Sequence, residues 1–133
     1  MITAGKIADY MYARSKQLGI AEIYQWGNIP AGVVNKPRVT IQAKSQNDGM
    51  RWISSFVEVN ICYPYLNKTG IAPLNELDKA EQKARALFHG IVENIDDDWV
   101  EFSVESMSRY KDDALQCYYV NAHIRFNVLN INV

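Results

Sequence analysis

Few side chains in this 133-residue sequence are of a kind that carries chemistry, and their spacing decides what each could do. His89 and His123 are the only histidines. A zinc site would need them joined by cysteine or carboxylate ligands at a recognised spacing, and neither sits in such a cluster. Cys62 and Cys117 are the only cysteines, too few for a disulfide framework. A nucleophilic thiol needs a base within hydrogen-bond reach. His123 shares a face with Cys117, but it lies about 20 Å further along an extended chain. Asp96-Asp97-Asp98 suggests a calcium loop, yet such loops alternate oxygen ligands around a central glycine and end in glutamate. Here Trp99 and Val100 follow, which leaves an acidic, solvated turn. Gly27 and Gly32 stand alone and no Lys-Ser/Thr pair follows Gly49, so no phosphate-binding loop is formed. The residues therefore predict no catalytic group, no metal and no cofactor. An enzyme would need a deep pocket joining His123 to Glu101 or Glu105.

The elements that must position these residues are legible from periodicity. Thr3–Leu18 reads as a helix with Thr3 as its cap and Gly19 as its stop. Ala21–Trp26 is a short β-prone run, broken by Gly27-Asn28-Ile29-Pro30. In Arg38–Ala43, Val39, Ile41 and Ala43 share one face. Lys44–Gly49 is a polar turn, and Asn47-Asp48-Gly49 is the strongest hairpin signal in the chain. A long strand from about Met50 to Tyr63 sets Val57, Val59 and Ile61 against Phe56, Glu58, Asn60 and Cys62, and Pro64 ends it. A loop, Tyr65–Pro73, leads to a second helix through Val92. Asn75 is its expected cap, and Leu77, Ala80, Ala84, Leu87, Phe88 and Ile91 form its apolar stripe. Asn94–Asp98 reads as an acidic turn, Trp99–Ser106 as a strand and Ser108–Asp113 as a charged turn. Leu115–Leu129 is the longest alternating run, with Tyr118, Val120, Ala122, Ile124, Phe126 and Val128 inward. The expected fold is a single α+β domain over residues 1–133, in the order α-β-β-β-α-β-β. An antiparallel sheet of four to five strands would carry two helices on one face.

Composition excludes several function classes. The chain is 48% apolar and 22% charged with a net charge of −1, which does not suit a general polyanion binder. Charge is uneven: residues 1–52 hold seven basic and three acidic groups, and residues 53–133 hold seven and twelve. Such a split can be neutralised within the fold or between subunits. The first twenty residues lack the apolar core of a signal peptide, and no run is long enough for a membrane span. Synthesis in a reducing cytosol without secretion is expected, so Asn67-Lys68-Thr69 is a chance glycosylation match.

Two strands exceed the usual five or six residues, so they should curl strongly or project. A projecting hairpin is a natural arm toward a neighbour. The candidate subunit interface is Asn47, Asp48, Met50, Trp52 and Ile53 with Tyr65 of the following loop. Tyr119, Arg125 and Phe56 on the open sheet face would suit single-stranded nucleic acid, but Glu58, Glu101 and Glu105 would repel its phosphates.

In element order the chain resembles small phage tail-terminator and neck (head–tail joining) proteins. The features that carry the resemblance are the helix Thr3–Leu18, the strand Phe56-Val57-Glu58-Val59-Asn60-Ile61-Cys62-Tyr63-Pro64, the helix Glu76–Val92 and the closing strand Tyr118–Val128. It implies a non-enzymatic assembly protein forming a homo-oligomeric ring, often a hexamer, with phage tail or neck proteins as partners. It also implies a location in the host cytoplasm during assembly and then in the virion. The alternative expectation is a binding module for a small ligand or single-stranded nucleic acid, using the outer sheet face.

Overall fold

The computed structural model describes residues 3–44, 54–67 and 69–129. Helix α1 (Ala4–Ser15) begins where the Thr3 hydroxyl accepts from the Lys6 amide at 3.2 Å, and a 3-10 turn (Lys16–Leu18) extends it. Gly19, at φ +79°, ends it in the left-handed conformation that glycine adopts without steric cost. Strands β1 (Glu22–Gln25), β2 (Arg38–Ala43) and β3 (Ser54–Pro64) follow, then helix α2 (Leu74–Phe88) and strands β4 (Ile91–Ile95), β5 (Asp98–Asp112) and β6 (Cys117–Val128). They form one six-stranded sheet in the order β1-β2-β3-β6-β5-β4.

The α+β class with long alternating strands stands, but the sheet differs from the sequence expectation in three ways. It has six strands rather than four or five, in the order α-β-β-β-α-β-β-β. It is mixed rather than wholly antiparallel, because β1 and β2 run parallel. The chain returns to the start of β2 through the crossover 26–37, where a tight turn would have given an antiparallel pair. The extra strand is β4. Gly90, at φ +69°, diverts the chain after Phe88, so Ile91 and Val92 pair with β5 instead of prolonging the helix. Asp96 and Asp97 are the two-residue turn of that β4–β5 hairpin, both at positive φ (52° and 69°). That is the geometry of the primed turns, which match strand twist and which aspartate tolerates. Pro73 rather than Asn75 immediately precedes α2, and no side chain caps that end.

Strand β5 also continues through the segment expected to be a charged turn. A bulge between Val104 and Ser106 leaves Glu105 without a partner. Before it, Val100, Phe102 and Val104 face the helices; after it, Met107 and Arg109 do, opposite Ala122 and Val120. The inserted residue inverts the alternation. Arg109 thereby reaches α2 and pairs with Glu81, at 2.8 Å, and with Asp78. The turn itself is 113–116, with Gln116 at φ +54°.

Both helices pack on one face. Leu77, Ala80, Ala84 and Phe88 of α2 recur at three and four and are buried against β3, β5 and β6. Ile7 and Met11 of α1 are buried beside β1 and β2, yet α1 also contacts β4 and stacks Tyr10 on Phe102, centroids 5.2 Å apart. A flat six-stranded sheet could not touch one helix with both edges. The sheet therefore curls around α1 as a half-barrel, which is how its long strands are accommodated. Arg14 fastens the closure, donating to the Leu87 carbonyl at 2.6 Å and lying 3.7 Å from Glu93 of β4.

Candidate functional site

The helices leave the outer sheet face to the other half of each alternation, and the polar and aromatic side chains gather there. Register places Glu58 (β3), His123 (β6) and Ser106 (β5) in one row across three strands. His123 Nδ1 lies 2.5 Å from Glu58 Oε1, and its ring stacks on Phe56 with centroids 4.2 Å apart. Asn121 Nδ2 donates to Glu58 Oε2 at 2.9 Å and to Asn60 Oδ1 at 2.7 Å. The row has the residue types of a nucleophile, base and acid, but no hydrogen bond joins Ser106 to His123. The imidazole is instead held by Glu58 and Phe56 as part of a closed polar network. Its partner is neither of the carboxylates weighed from sequence: Glu105 lies 4.0 Å from Arg125, and Glu101 sits opposite Val92 and Asn127. His89 is structural, since its Nδ1 accepts the Val104 amide at 3.0 Å beside the bulge.

The crossover 26–37 covers one corner of this face. Val34, buried beneath it, packs on Cys62 and Cys117, and its amide donates to the Leu115 carbonyl at 2.9 Å. The two thiols are neighbours because β3 and β6 pair, with Pro64 opposite Cys117. A hydrogen bond between them, followed by burial, pushes the Cys62 thiol well above its usual range. Arg38 is 8% exposed on the same side, with Nη1 3.4 Å from the Pro30 carbonyl and no hydrogen bond at Nε.

Beside this corner lies an apolar cavity of about 380 Å³ lined by Val33, Val34, Asn35, Pro64, Tyr65, Asn67 and Gln116. Of the residues nominated from sequence, Tyr65 is in its wall. Asn47, Asp48, Met50, Trp52 and Ile53 lie outside the described residues. The Tyr65 hydroxyl donates to Asp113, and that bond to a carboxylate pushes the phenol up to about 12. The Lys111 ammonium lies 5.6 Å from the Tyr65 ring.

At the opposite corner the outer face turns apolar. Trp99 sits between Asn94 of β4 and Leu129, whose amide donates to the Trp99 carbonyl at 2.8 Å. Val92 is diagonal to it on β4. All three are about half exposed: Val92 50%, Trp99 47%, Leu129 54%. Sequence reading missed this cluster because it placed Val92 in a helix. The available signal was Gly90 followed by the β-branched pair Ile91-Val92, ahead of two turn-forming aspartates. Trp26, Ile29 and Val33 of the crossover are exposed as well, Trp26 next to the end of β1 and Val33 in the wall of the cavity beside Tyr65.

Among the described residues, no three His, Cys, Asp or Glu side chains converge as a metal site, and no helix is long and apolar enough to cross a membrane. No family model matches the chain, and no curated protein matches it. The chain is similar to a solved structure that bears only a sequence label, at a TM-score of 0.58 and 13% identity over 98% of this chain and 96% of that one. At that identity the likeness shows a shared fold along the whole length.

Proposed function

We propose that this domain is a structural subunit of an oligomeric protein assembly, non-enzymatic and of the phage tail-terminator or neck type. The observation that carries this is the apolar corner of Val92, Trp99 and Leu129 on the outer sheet face, uncovered by any described residue. Exposed apolar clusters rimmed by charge mark contact surfaces. The imidazole of His123 is committed to a structural network, which favours assembly over catalysis. Electron microscopy and light scattering of the purified chain test the proposal, with a closed ring expected. A strictly monomeric particle, alone and with neighbouring tail or neck proteins, would refute it.

The cavity beside Tyr65 supports a second reading, a small-ligand module. Its volume of about 380 Å³ falls in the range of ligand pockets, and its walls are mainly apolar. Saturable binding of a small apolar compound, abolished by Val33→Trp, would favour that reading. Single-stranded nucleic acid fits the outer face less well, since Glu58, Glu101 and Glu105 lie along it.

A further inference from the structure

His123 is too far along β6 to serve Cys117 as a base, but the fold brings two other groups to that thiol. Cys62 and Cys117 are a diagonal pair on β3 and β6: Tyr119 stands opposite Cys62, and Pro64 opposite Cys117. Diagonal pairs are spaced more widely than facing ones, yet the hydrogen bond between the thiols shows that their sulfurs meet. Arg38 stands directly opposite Cys62 on β2 and hydrogen-bonds its thiol. The guanidinium is buried and forms no ion pair with a described residue. Glu22, opposite it on β1, accepts from the Tyr24 hydroxyl at 2.9 Å. A buried cation without an ion-pair partner favours the ionised form of the thiols beside it.

The two thiols respond in opposite senses. Cys117 is held below the ordinary thiol value of 9.0, chiefly by its hydrogen bond with Cys62, against burial and the Asp112 carboxylate opposite it on β5. The same bond and burial push Cys62 up. Cys117 is therefore the thiol that ionises first, while Cys62 keeps its proton.

A path to the pair exists. The apolar cavity is walled in part by Val34, which packs on both thiols, by Pro64, opposite Cys117, and by Gln116, which precedes it. Its volume of about 380 Å³ has room for molecules of the size of water or a small peroxide. Val34 is the single buried residue of the crossover 26–37. A segment with so few buried contacts opens locally at low cost.

We propose that Cys117 and Cys62 form a redox-active dithiol that reduces a hydroperoxide and closes to a disulfide between β3 and β6. The Cys117 thiolate attacks one peroxide oxygen and the O–O bond breaks. The departing oxygen takes up the proton that Cys117 released and leaves as an alcohol, or as water from hydrogen peroxide. Cys117 is then a sulfenic acid. The Cys62 sulfur attacks the Cys117 sulfur, the S–O bond breaks, and the hydroxide leaves as water with the Cys62 proton. In sum, two thiols and one hydroperoxide give one disulfide, one alcohol and one water. Cys117 is the first residue of β6 and Pro64 the last of β3, so closing the diagonal strains strand ends rather than the middle of the sheet. The proposal is independent of the assembly role.

Hydrogen peroxide added to the folded full-length chain, followed by intact mass spectrometry, tests it. The monomer should lose two hydrogens, and dithiothreitol should restore them. Cys62→Ala should stop at a Cys117 sulfenic acid that dimedone traps. Cys117→Ala should leave Cys62 slower to react by about tenfold or more. Circular dichroism checks that each variant folds. Arg38→Met should slow the first step severalfold, and an unchanged rate overturns the part given to the guanidinium. Two thiols retained after peroxide treatment, a disulfide only between copies, or equal reactivity of the two cysteine variants overturns the proposal. So does a rate that climbs with urea as steeply as global unfolding, because the reaction then belongs to the unfolded chain.

Discussion

The two faces of the sheet are made by the same strands in alternation, yet they obey different rules. The helix-side face is closed: Val57, Val59, Ile61, Phe102, Ala122, Ile124 and Phe126 are all fully buried beneath α1 and α2. The outer face is a patchwork of a polar network around Glu58 and His123, a covered thiol corner and a bare apolar corner at Trp99. Stability therefore resides mainly on one face, and the capacity to recognise something else resides on the other. A side chain's contribution should depend on which way it points more than on its type.

Matched aromatic truncations give the sharpest way to break that contrast. Phe102→Ala, a fully buried ring between Tyr10 and Phe126, should cost about 4 kcal/mol in urea unfolding. Phe56→Ala on the outer face removes only the stack on His123 and should cost about 1 kcal/mol. Equal losses would mean that the outer face carries as much of the core as the inner one. Deleting Glu105 should cost no more than about 1 kcal/mol, because it removes only the unpaired residue and leaves Val104 opposite Ile124, Ser106 opposite His123 and Met107 opposite Ala122. A large fall in the urea midpoint would show that the bulge itself, rather than the pairing on either side of it, holds the strand.

Smaller effects sharpen the picture. Arg109 holds the Glu81 carboxyl below the usual glutamate value of 4.5 by hydrogen bonding. That pairing stabilises the fold above about pH 4.5 and is lost as the pH falls through the lowered folded value. Arg109→Met should therefore flatten the acid limb of a stability–pH curve and leave its neutral-to-alkaline shape alone. An acid limb as steep as the original would dissociate the pair from stability. The smallest change expected is a gain. Replacing Asp96-Asp97 by Asn-Gly should raise stability by about 0.5 kcal/mol, because that pair suits a turn with positive φ at both positions. A loss would mean that the aspartates contribute more than turn geometry.

How much of this was legible in the sequence follows from the same alternation. Period-two runs with one clean phase, Val57 to Ile61 and Val120 to Val128, gave both the strand and the face correctly. Helix α2 was equally plain, its apolar positions recurring at three and four. Three features were hidden for identifiable reasons. β4 is five residues long and follows a helix of similar apolar content, so Ile91 and Val92 extend the helical stripe until Gly90 is given its positive φ. The second half of β5 was masked by the bulge, since one extra residue reverses the phase and leaves Ser108–Asp113 looking like a polar turn. The parallel pairing of β1 with β2 depends on the path of the crossover, and no local residue encodes it. The outer-face sites suffered most. Glu58 and His123 are 65 residues apart and meet only through β3–β6 pairing, while the Trp99 corner required β4. Tyr65 was found near a cavity, although the nomination rested on its loop rather than on any pocket.

The bulge at Glu105 also has a consequence for inheritance. Val100, Phe102 and Val104 face the helices before it, and Met107 does so after it. Loss of the codon for residue 105 keeps all of these partners and only straightens the strand, whereas a codon lost or gained away from the bulge turns over the side chains between the change and the bulge. Related chains that keep this hairpin should therefore change length by single residues at the bulge and by even steps elsewhere.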